Sequence, residues 1–429
     1  MTLYSVLEQS LQELNEQRWI FCGYSGNIDW VAKIQNDAFL RFQEACQIWP
    51  ETFSERLCRP EIRTIEDLIR YAIYFFHTHS GGEGNLHTPD LVDTINRFLP
   101  GHFAIGGTGA QAANFLAHLG FGHVELHLPV YTPFFQAVLH PALSIHHSTA
   151  FYAQRFGEEI TRSLSEIHCI LDYDPETLYR IGSHVFRTSG QDRIILSHDQ
   201  CNARIRISES FREILCQPHE EASFLVSGFN SLREIEDLQD FIGENERIIE
   251  DFRKHHPGCS VCVEEAHYWD KAHERIHLVA ERIYPHVDSL GMNQREFEAM
   301  RSSMDFKTQD PVEFLYNLCQ EYALKRVGMH AKEECLVVSA YPFEQEVLAD
   351  GLGILLSGAK AYHGRFVGKE ELWALLHNFR HLALAKEIVL PKPLGNGYRA
   401  FRLPTLKGIP VASTLGLGDA FTAGLLAYL

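Results

Sequence analysis

Short buried strands alternate along the chain with longer segments of helical periodicity, and this alternation limits the possible folds. Apolar runs of strand length lie at residues 19–23, 124–128, 223–227, 260–263 and 335–339. Helical patterns lie between them, at residues 110–119, which end at Gly120, and at 232–254. Strands separated by helices of this length form βαβ units and a mostly parallel sheet. The sequence therefore predicts an α/β fold built on a Rossmann-like, three-layer α/β/α domain.

Two regions depart from the alternation and predict a smaller, β-rich lid. Residues 30–100 form a long segment of mixed pattern. Residues 172–215 contain alternating segments at 192–197 and 202–208, which are typical of half-exposed antiparallel strands. The Pro- and Gly-rich segment 390–397 is predicted to be a surface loop. The expected large domain comprises residues 1–29, 101–171 and 216–429, and the expected lid comprises 30–100 and 172–215.

The composition excludes several classes of protein. The chain has 429 residues and a formal net charge of −18, which argues against a nucleic-acid surface and an anionic membrane partner. No apolar run of about 18 residues occurs, so no membrane span is expected. The N-terminus has the pattern of an acidic amphipathic helix, not of a signal peptide. The ten cysteines are scattered, as in a reducing cytosol. We therefore expect a cytoplasmic monomer or small homo-oligomer.

The C-terminal segment carries the strongest chemical signal. Gly416, Leu417, Gly418 and Asp419 form a G-x-G-D sequence, and an apolar run with helical spacing follows at once. The glycines allow a tight turn whose N–H groups point one way, and the helix start adds a positive dipole end. The pattern predicts an anion site for a phosphate in transfer, with Asp419 placed to accept a hydroxyl proton. The alternative is a Gly-rich turn with Asp419 as the helix N-cap.

Two other segments have the character of ligand contacts. Asn27 and Asp29 follow the first strand, where parallel sheets bind ligands, and an amide with a carboxylate suits sugar hydroxyls. An Asx turn is the alternative. Gly106 and Gly107 lead into a helix, with a spacing that fits neither the dinucleotide nor the P-loop pattern. Close packing of helix and strand is the alternative there.

Metal-binding patterns are few. Asn293 and Glu296 form an N-x-x-E sequence whose spacing fits a capping box, although Glu296 also suits the hydrated shell of Mg²⁺. Cys259 and Cys262 form a C-x-x-C pair, but no second pair lies near them, so we do not expect zinc.

Taken in chain order, these segments resemble the ADP-dependent sugar kinases, the glucokinase/phosphofructokinase branch of the ribokinase superfamily. Residues 410–419 resemble the end of those kinases, and residues 288–296 are similar to their N-x-x-E segment. Residues 226–230 look like their strand-end S-G-F/L segment. The H-x-E motif of the family has its best counterpart in Cys262-Val-Glu264, where cysteine replaces histidine.

The resemblance implies a Rossmann-like domain with a closing lid, and transfer of the β-phosphate of ADP to a hydroxyl of a sugar or sugar phosphate, with AMP as product. In this interpretation Asp419 is the base, and backbone N–H groups of Gly416, Leu417 and Gly418 hold the phosphate. Metal positions are Glu264, Glu296 and, through water, Asn293, around Mg²⁺. Substrate positions are Asn27, Asp29, Glu83, Gly106, Gly107 and Arg204. The alternatives are an ATP-dependent ribokinase-like sugar kinase and a non-catalytic sugar- or nucleotide-binding homologue.

Overall fold

A computed structural model describes residues 1–52, 60–161, 166–268 and 271–429 and confirms the α/β class. Its helices are α1 (Leu3–Gln12), α2 (Ala38–Cys46), α3 (Ile65–Thr78), α4 (Pro89–Phe98), α5 (Thr108–His118), α6 (Pro133–Val138), α7 (Thr149–Phe156), α8 (Glu209–Leu215), α9 (Ile235–His255), α10 (Ala272–Arg282), α11 (Gln294–Ser303), α12 (Pro311–Tyr322), α13 (Phe343–His363), α14 (Lys369–Asn378), α15 (Arg380–Leu384) and α16 (Leu417–Leu426). Its strands are β1 (Trp19–Cys22), β2 (Asn27–Ile34), β3 (Glu61–Ile62), β4 (Gly82–Leu86), β5 (His102–Gly106), β6 (His123–Leu128), β7 (Ser144–His147), β8 (Glu166–Tyr173), β9 (Leu178–Ile181), β10 (His184–Arg187), β11 (Asp192–Asp199), β12 (Ala222–Val226), β13 (Ser260–Glu264), β14 (Ser289–Asn293), β15 (Arg326–His330), β16 (Glu334–Ser339), β17 (Val389–Gly395) and β18 (Tyr398–Pro404).

The large sheet forms the middle layer of a three-layer domain. Within the described ranges its strand order is β17-β18-β16-β15-β14-β13-β12-β1-β6-β7, and the pairs from β15 to β7 are parallel. Helices α1, α5, α13 and α16 supply the core on one face, and α8 to α12 supply it on the other. Strands covered on both faces are continuous apolar runs, as β12 and β13 are, which is why the sequence pattern located them.

The small sheet has the strand order β3-β4-β11-β8-β2-β5. Helices α2, α3 and α4 cover one face, where alternate residues such as Ala32, Leu171 and Ile194 join the core. Asp29 and His168 are neighbours on the opposite face, because they are direct partners in the β2–β8 pair. We call this opposite face, which carries Asn27, Asp29, Glu83 and His168, the inner face.

Strand pairing differs from the predicted domain boundaries. Residues 102–106 and 166–171 were assigned to the large domain, but they pair within the small sheet as β5 and as part of β8. The predicted strand at 202–208 is wrong, since a short 3₁₀ helix (Asn202–Arg204) occupies its start. Ile205 and Ile207 are buried in the core of the large domain, which produces the alternation without any strand partner.

The surface loop predicted at 390–397 is also wrong. Strands β17 and β18 form an antiparallel hairpin at the edge of the large sheet. Asn396 and Gly397 connect them with φ values of 51° and 83°, a combination typical of two-residue hairpin turns. The two prolines of this segment are tolerated because an edge strand needs only half of its N–H groups for pairing. None of the described helices is long and apolar enough to cross a membrane.

Candidate active site

The G-x-G-D sequence forms a tight turn into α16. Gly416 is the N-cap, with a left-handed φ of 69°, and Asp419 lies in the first helical turn. The alternative that made Asp419 the N-cap is therefore wrong. A Cβ atom at Gly416 would lie 2.0 Å from Oε1 of the buried Gln111, so only glycine fits here. The turn directs the free N–H groups and the dipole of α16 toward one point.

Asp419 is half-buried among charged groups. Burial raises the pKa of its carboxyl to about 6; a hydrogen bond from Thr108 opposes the rise, whereas the charge of Glu264 adds to it. His330 and Lys360 also lower this pKa. A carboxylate with a raised pKa remains ionised at neutral pH and accepts a proton more readily than an ordinary aspartate.

Asn27 and Asp29 are close to the two glycines that precede α5. The Asn27 amide donates to Oδ1 of Asp29 at 2.6 Å, and both side chains are buried. A Cβ atom at Gly106 would lie 2.3 Å from Nδ2 of Asn27 and 2.4 Å from Oδ1 of Asp29. Gly107 has a φ of 87°, and its Cβ position would meet the backbone of Ser25 at 2.7 Å. Gly106 therefore leaves room for the polar pair, and Gly107 for the backbone of Ser25.

His168 and Glu83 complete the inner face, and the sequence analysis missed His168. Burial disfavours the charged form, but the hydrogen bond and charge of Asp199, with Asp29 and Glu83, outweigh it and raise the pKa of His168. Nε2 of His168 lies 3.2 Å from Oδ2 of Asp199. Glu83 belongs to β4. A histidine at an alternate position of an apolar strand was the available sequence signal.

Asp29 also interacts electrostatically with the groups at the start of α16. Burial raises the pKa of Asp29 to about 6, against the charge of His168 and the Asn27 hydrogen bond, while the charge of Asp419 raises it further. The inner face therefore lies within electrostatic reach of the G-x-G-D turn, and their union in one site stays a prediction.

Substitution of Gly106 by Ala tests this arrangement. The new methyl group would displace Asn27 and Asp29, and overpacking of this kind costs about 1–3 kcal/mol. If Asn27 and Asp29 bind the sugar that the sequence motifs predict as substrate, its KM should rise by roughly 10- to 100-fold, because each 1.4 kcal/mol is a factor of ten. Gly122→Ala is the control, since nothing lies within 4 Å of its Cβ position. An unchanged KM in Gly106→Ala would show that these side chains do not contact the substrate.

The capping interpretation of N-x-x-E is confirmed. Oδ1 of Asn293 accepts from the N–H of Glu296 at 3.1 Å, and Oε2 of Glu296 accepts from the N–H of Asn293 at 2.6 Å. Burial raises the pKa of Glu296 well above its usual value, with further repulsion from Glu264, Glu265 and Asp419. Glu296 therefore caps α11 and is also one of several carboxylates that lie close together.

Glu264 ends β13 beside this cap. A Cβ atom at Gly291 would lie 2.0 Å from its Oε2, so that glycine makes room for the carboxylate. Cys262, two residues earlier, is buried, and burial raises the pKa of its thiol to about 12. Cys259 and Cys262 are free thiols. Within the described ranges, no three His, Cys, Asp or Glu side chains converge closely enough to ligate a metal directly.

Arg204 does not join this group. Its guanidinium is exposed, and Nε pairs with Oδ1 of Asp237 at 2.7 Å. Two other cations were missed by the sequence analysis. Arg193, on β11, donates to the Thr414 hydroxyl just before the G-x-G-D turn. Lys360 is buried, and desolvation lowers its pKa to about 8 despite the charges of Asp29 and Asp419.

Known proteins resemble this chain over nearly its whole length. The model of the ADP-specific phosphofructokinase/glucokinase conserved region matches residues 18–428. An ADP-specific phosphofructokinase of Pyrococcus furiosus is 22% identical over 457 residues, which cover 96% of each chain. The structure of a hypothetical ADP-dependent phosphofructokinase from Pyrococcus horikoshii has a TM-score of 0.75 at 17% identity, over 97% of this chain and 98% of that one. An ADP-dependent kinase in complex with fructose 6-phosphate and ADPβS has a TM-score of 0.72 at 17% identity, over 99% and 96%.

The solved structures show a shared fold, and the family match extends over nearly the whole sequence. The resemblance drawn from the sequence motifs is therefore confirmed. The protein belongs to the ADP-specific phosphofructokinase/glucokinase family, and it is an ADP-dependent sugar kinase.

Proposed function

We propose that this kinase phosphorylates an unphosphorylated sugar, with Asp419 as the base that accepts the proton of the attacking hydroxyl. The acidic character of the inner face is the observation that carries the choice of sugar. His168 interacts electrostatically with Asp199, Asp29 and Glu83, and Asp29 interacts in turn with Asp419. Carboxylates and an imidazole bind hydroxyl groups well, whereas a substrate phosphate would add charge of the same sign.

Two cations on the strands of the small sheet already have acidic partners. Lys33 pairs with Asp174 at 2.9 Å, and Arg193 lies 3.6 Å from Asp172. A phosphate on the substrate would be expected to bind Arg or Lys side chains, preferably with bidentate geometry. Lys360 interacts with both Asp29 and Asp419, which supports a role at the reacting end of the sugar. This charge pattern favours a neutral hexose over a sugar phosphate.

Phosphoryl transfer then follows from the geometry around Asp419. The sugar hydroxyl oxygen forms a bond to the β-phosphorus of ADP as its proton passes to Asp419. The bond between that phosphorus and its bridging oxygen breaks, and AMP leaves. Backbone N–H groups of Gly416, Leu417 and Gly418, with the start of α16, stabilise the charge on the moving phosphoryl group.

The cluster of carboxylates near this turn, formed by Glu264, Glu265 and Glu296, suits Mg²⁺. Burial, with the charge of Glu264, raises the pKa of Glu265 to about 7, against hydrogen bonds from Tyr284 and Tyr268. A divalent cation would reduce the repulsion between the carboxylates of Glu264, Glu265 and Glu296. Since Glu296 is occupied by its cap, the cation would be held through water, as Mg²⁺ commonly is. When bound, Mg²⁺ neutralises charge on the phosphates of ADP.

Replacement of Glu296 by Gln tests the metal role. We expect the Mg²⁺ concentration for half-maximal rate to rise by about 10- to 100-fold, the usual cost of losing a group around a metal. Asp67→Asn is the matched control, because Asp67 closes the capping box of α3 with Thr64. Both variants should lose some stability, but only Glu296→Gln should change the Mg²⁺ dependence. Equal Mg²⁺ dependence in the two variants would leave Glu296 with a capping role alone.

A comparison of acceptors tests the proposed function. The purified protein is supplied with ADP and Mg²⁺, and AMP is measured with glucose, other neutral hexoses or fructose 6-phosphate. We expect a neutral hexose to have the highest kcat/KM. A preference for fructose 6-phosphate would contradict the argument from the charge of the inner face. Absence of AMP with every sugar would also contradict the proposed function.

A further inference from the structure

Three neighbouring parallel strands end in polar side chains at the candidate metal group. Glu264 ends β13, Asn293 ends β14 and His330 ends β15. Asn293 and His330 are direct partners in the β14–β15 pair. The first two residues belong to motifs of the sequence, whereas His330 belongs to none.

His330 is fixed on two sides. Its Nε2 donates to Oε1 of Glu264 at 2.7 Å, and the side chains are 13% and 6% exposed. Its ring lies 5.1 Å from the ring of Phe421 on α16. A Cβ atom at Gly418 would lie 3.0 Å from Cε1 of His330, so the imidazole packs directly against the G-x-G-D turn.

Because of this hydrogen bond, the two oxygens of the Glu264 carboxylate have different surroundings. Oε1 is held by His330, whereas Oε2 accepts no hydrogen bond from the part of the chain that the structure describes. A carboxylate fixed through one oxygen presents the other in a defined direction, and such supporting bonds commonly set metal affinity. The Cys262 thiol, two residues before Glu264, is buried and makes no such bond within the described ranges.

We infer that His330 is a positioning residue, which orients Glu264 toward a divalent cation and ties that carboxylate to the G-x-G-D turn. The inference rests on the proposed function, because Glu264 was assigned to the metal group there. It predicts that metal affinity depends on a hydrogen-bond donor at the position of Nε2, and not only on the bulk of the ring.

The test measures Mn²⁺ binding to the full-length protein by electron paramagnetic resonance, with and without ADP. His330→Gln keeps an N–H donor at a similar reach, whereas His330→Leu keeps the volume without the donor. We expect His330→Leu to weaken Mn²⁺ binding by about 10- to 100-fold and His330→Gln to remain close to the wild type. His330→Asn, whose amide is too short to reach Glu264, should behave like Leu and serves if the Leu variant does not fold. Cys262→Ala, a buried neighbour, is the control and should keep the wild-type Mn²⁺ affinity.

Wild-type Mn²⁺ affinity in folded Leu or Asn variants would overturn the inference, as would equal weakening by Gln, Asn and Leu. Assays of AMP formation keep this separate from the proposed function. Normal sugar phosphorylation by the wild type, with Mn²⁺ affinity insensitive to His330, would overturn the role of His330 alone. An inactive wild type that shows the expected Mn²⁺ pattern would overturn the proposed function and support the role of His330.

Discussion

Replacement of Asp419 by Asn is expected to lower kcat by about 10²- to 10⁴-fold, the usual contribution of a general base. The amide cannot accept the proton of the sugar hydroxyl, but its oxygen can still accept the hydrogen bond from Thr108. The affinity for ADP should change little, because the backbone N–H groups of Gly416 to Gly418 are unaltered. Steady-state kinetics with both substrates, together with ADP titration, measure the two effects separately.

The pH dependence of the wild type provides the control. Because the base must be ionised, kcat/KM should fall as the pH drops through the raised pKa of Asp419, at about 6. Asp29 has a pKa of about 6 as well, so the acidic limb belongs to both carboxyls together. Turnover of Asp419→Asn within a few-fold of the wild type, at any pH, would exclude Asp419 as the base.

Replacement of Arg326 by Ala is expected to destabilise the fold by about 3–5 kcal/mol, the usual cost of removing one partner from a buried ion pair. Arg326 is fully buried at the start of β15, where Nε lies 2.5 Å from Glu346 and Nη2 lies 2.7 Å from Asp350. Both carboxylates are on α13 and fully buried. In the variant, Glu346 and Asp350 would remain in the core without a positively charged partner.

Urea unfolding measures this effect, with Arg365→Ala as the matched control. Arg365 lies 2.6 Å from Glu371, but the side chains are 59% and 39% exposed. Exposed pairs of this kind contribute at most about 1 kcal/mol. Equal unfolding free energies for the two variants would show that the buried charges around Arg326 are not important for stability.

The sequence predicted the parts of the fold that depend on local pattern. The core strands of the large sheet are covered on both faces, so their apolar runs are unbroken. The G-x-G-D and N-x-x-E sequences form a turn and a cap whose geometry depends on nearby residues. The segment around Arg204 was misassigned because Ile205 and Ile207 are buried without pairing, and alternation alone does not reveal whether a strand has a partner.

The residues that the sequence analysis missed depend on contacts between distant segments. His330 follows Arg326-Val-Gly-Met, a sequence without any distinctive spacing, and only the register of β14 and β15 brings it to Asn293. Similarly, His168 is brought next to Asp29 only by the pairing of β2 with β8. Lys360 lies in the last turn of α13, where a lysine is ordinary. Its burial beside Phe366, with the ammonium 4.2 Å from the ring centroid, becomes visible only in the folded chain.

The identity of the phosphoryl donor tests the account most directly. The purified protein is supplied with Mg²⁺ and a neutral hexose, with ADP or ATP at saturating concentration, and the product nucleotides are quantified. We expect one AMP for each sugar phosphate formed. Phosphorylation of the sugar with ATP should be about 100-fold slower, because the transferable phosphate of ATP would be displaced from its position beside Asp419. A displacement of about 1 Å lowers the rate by about 100-fold. Faster phosphorylation with ATP than with ADP would contradict the account.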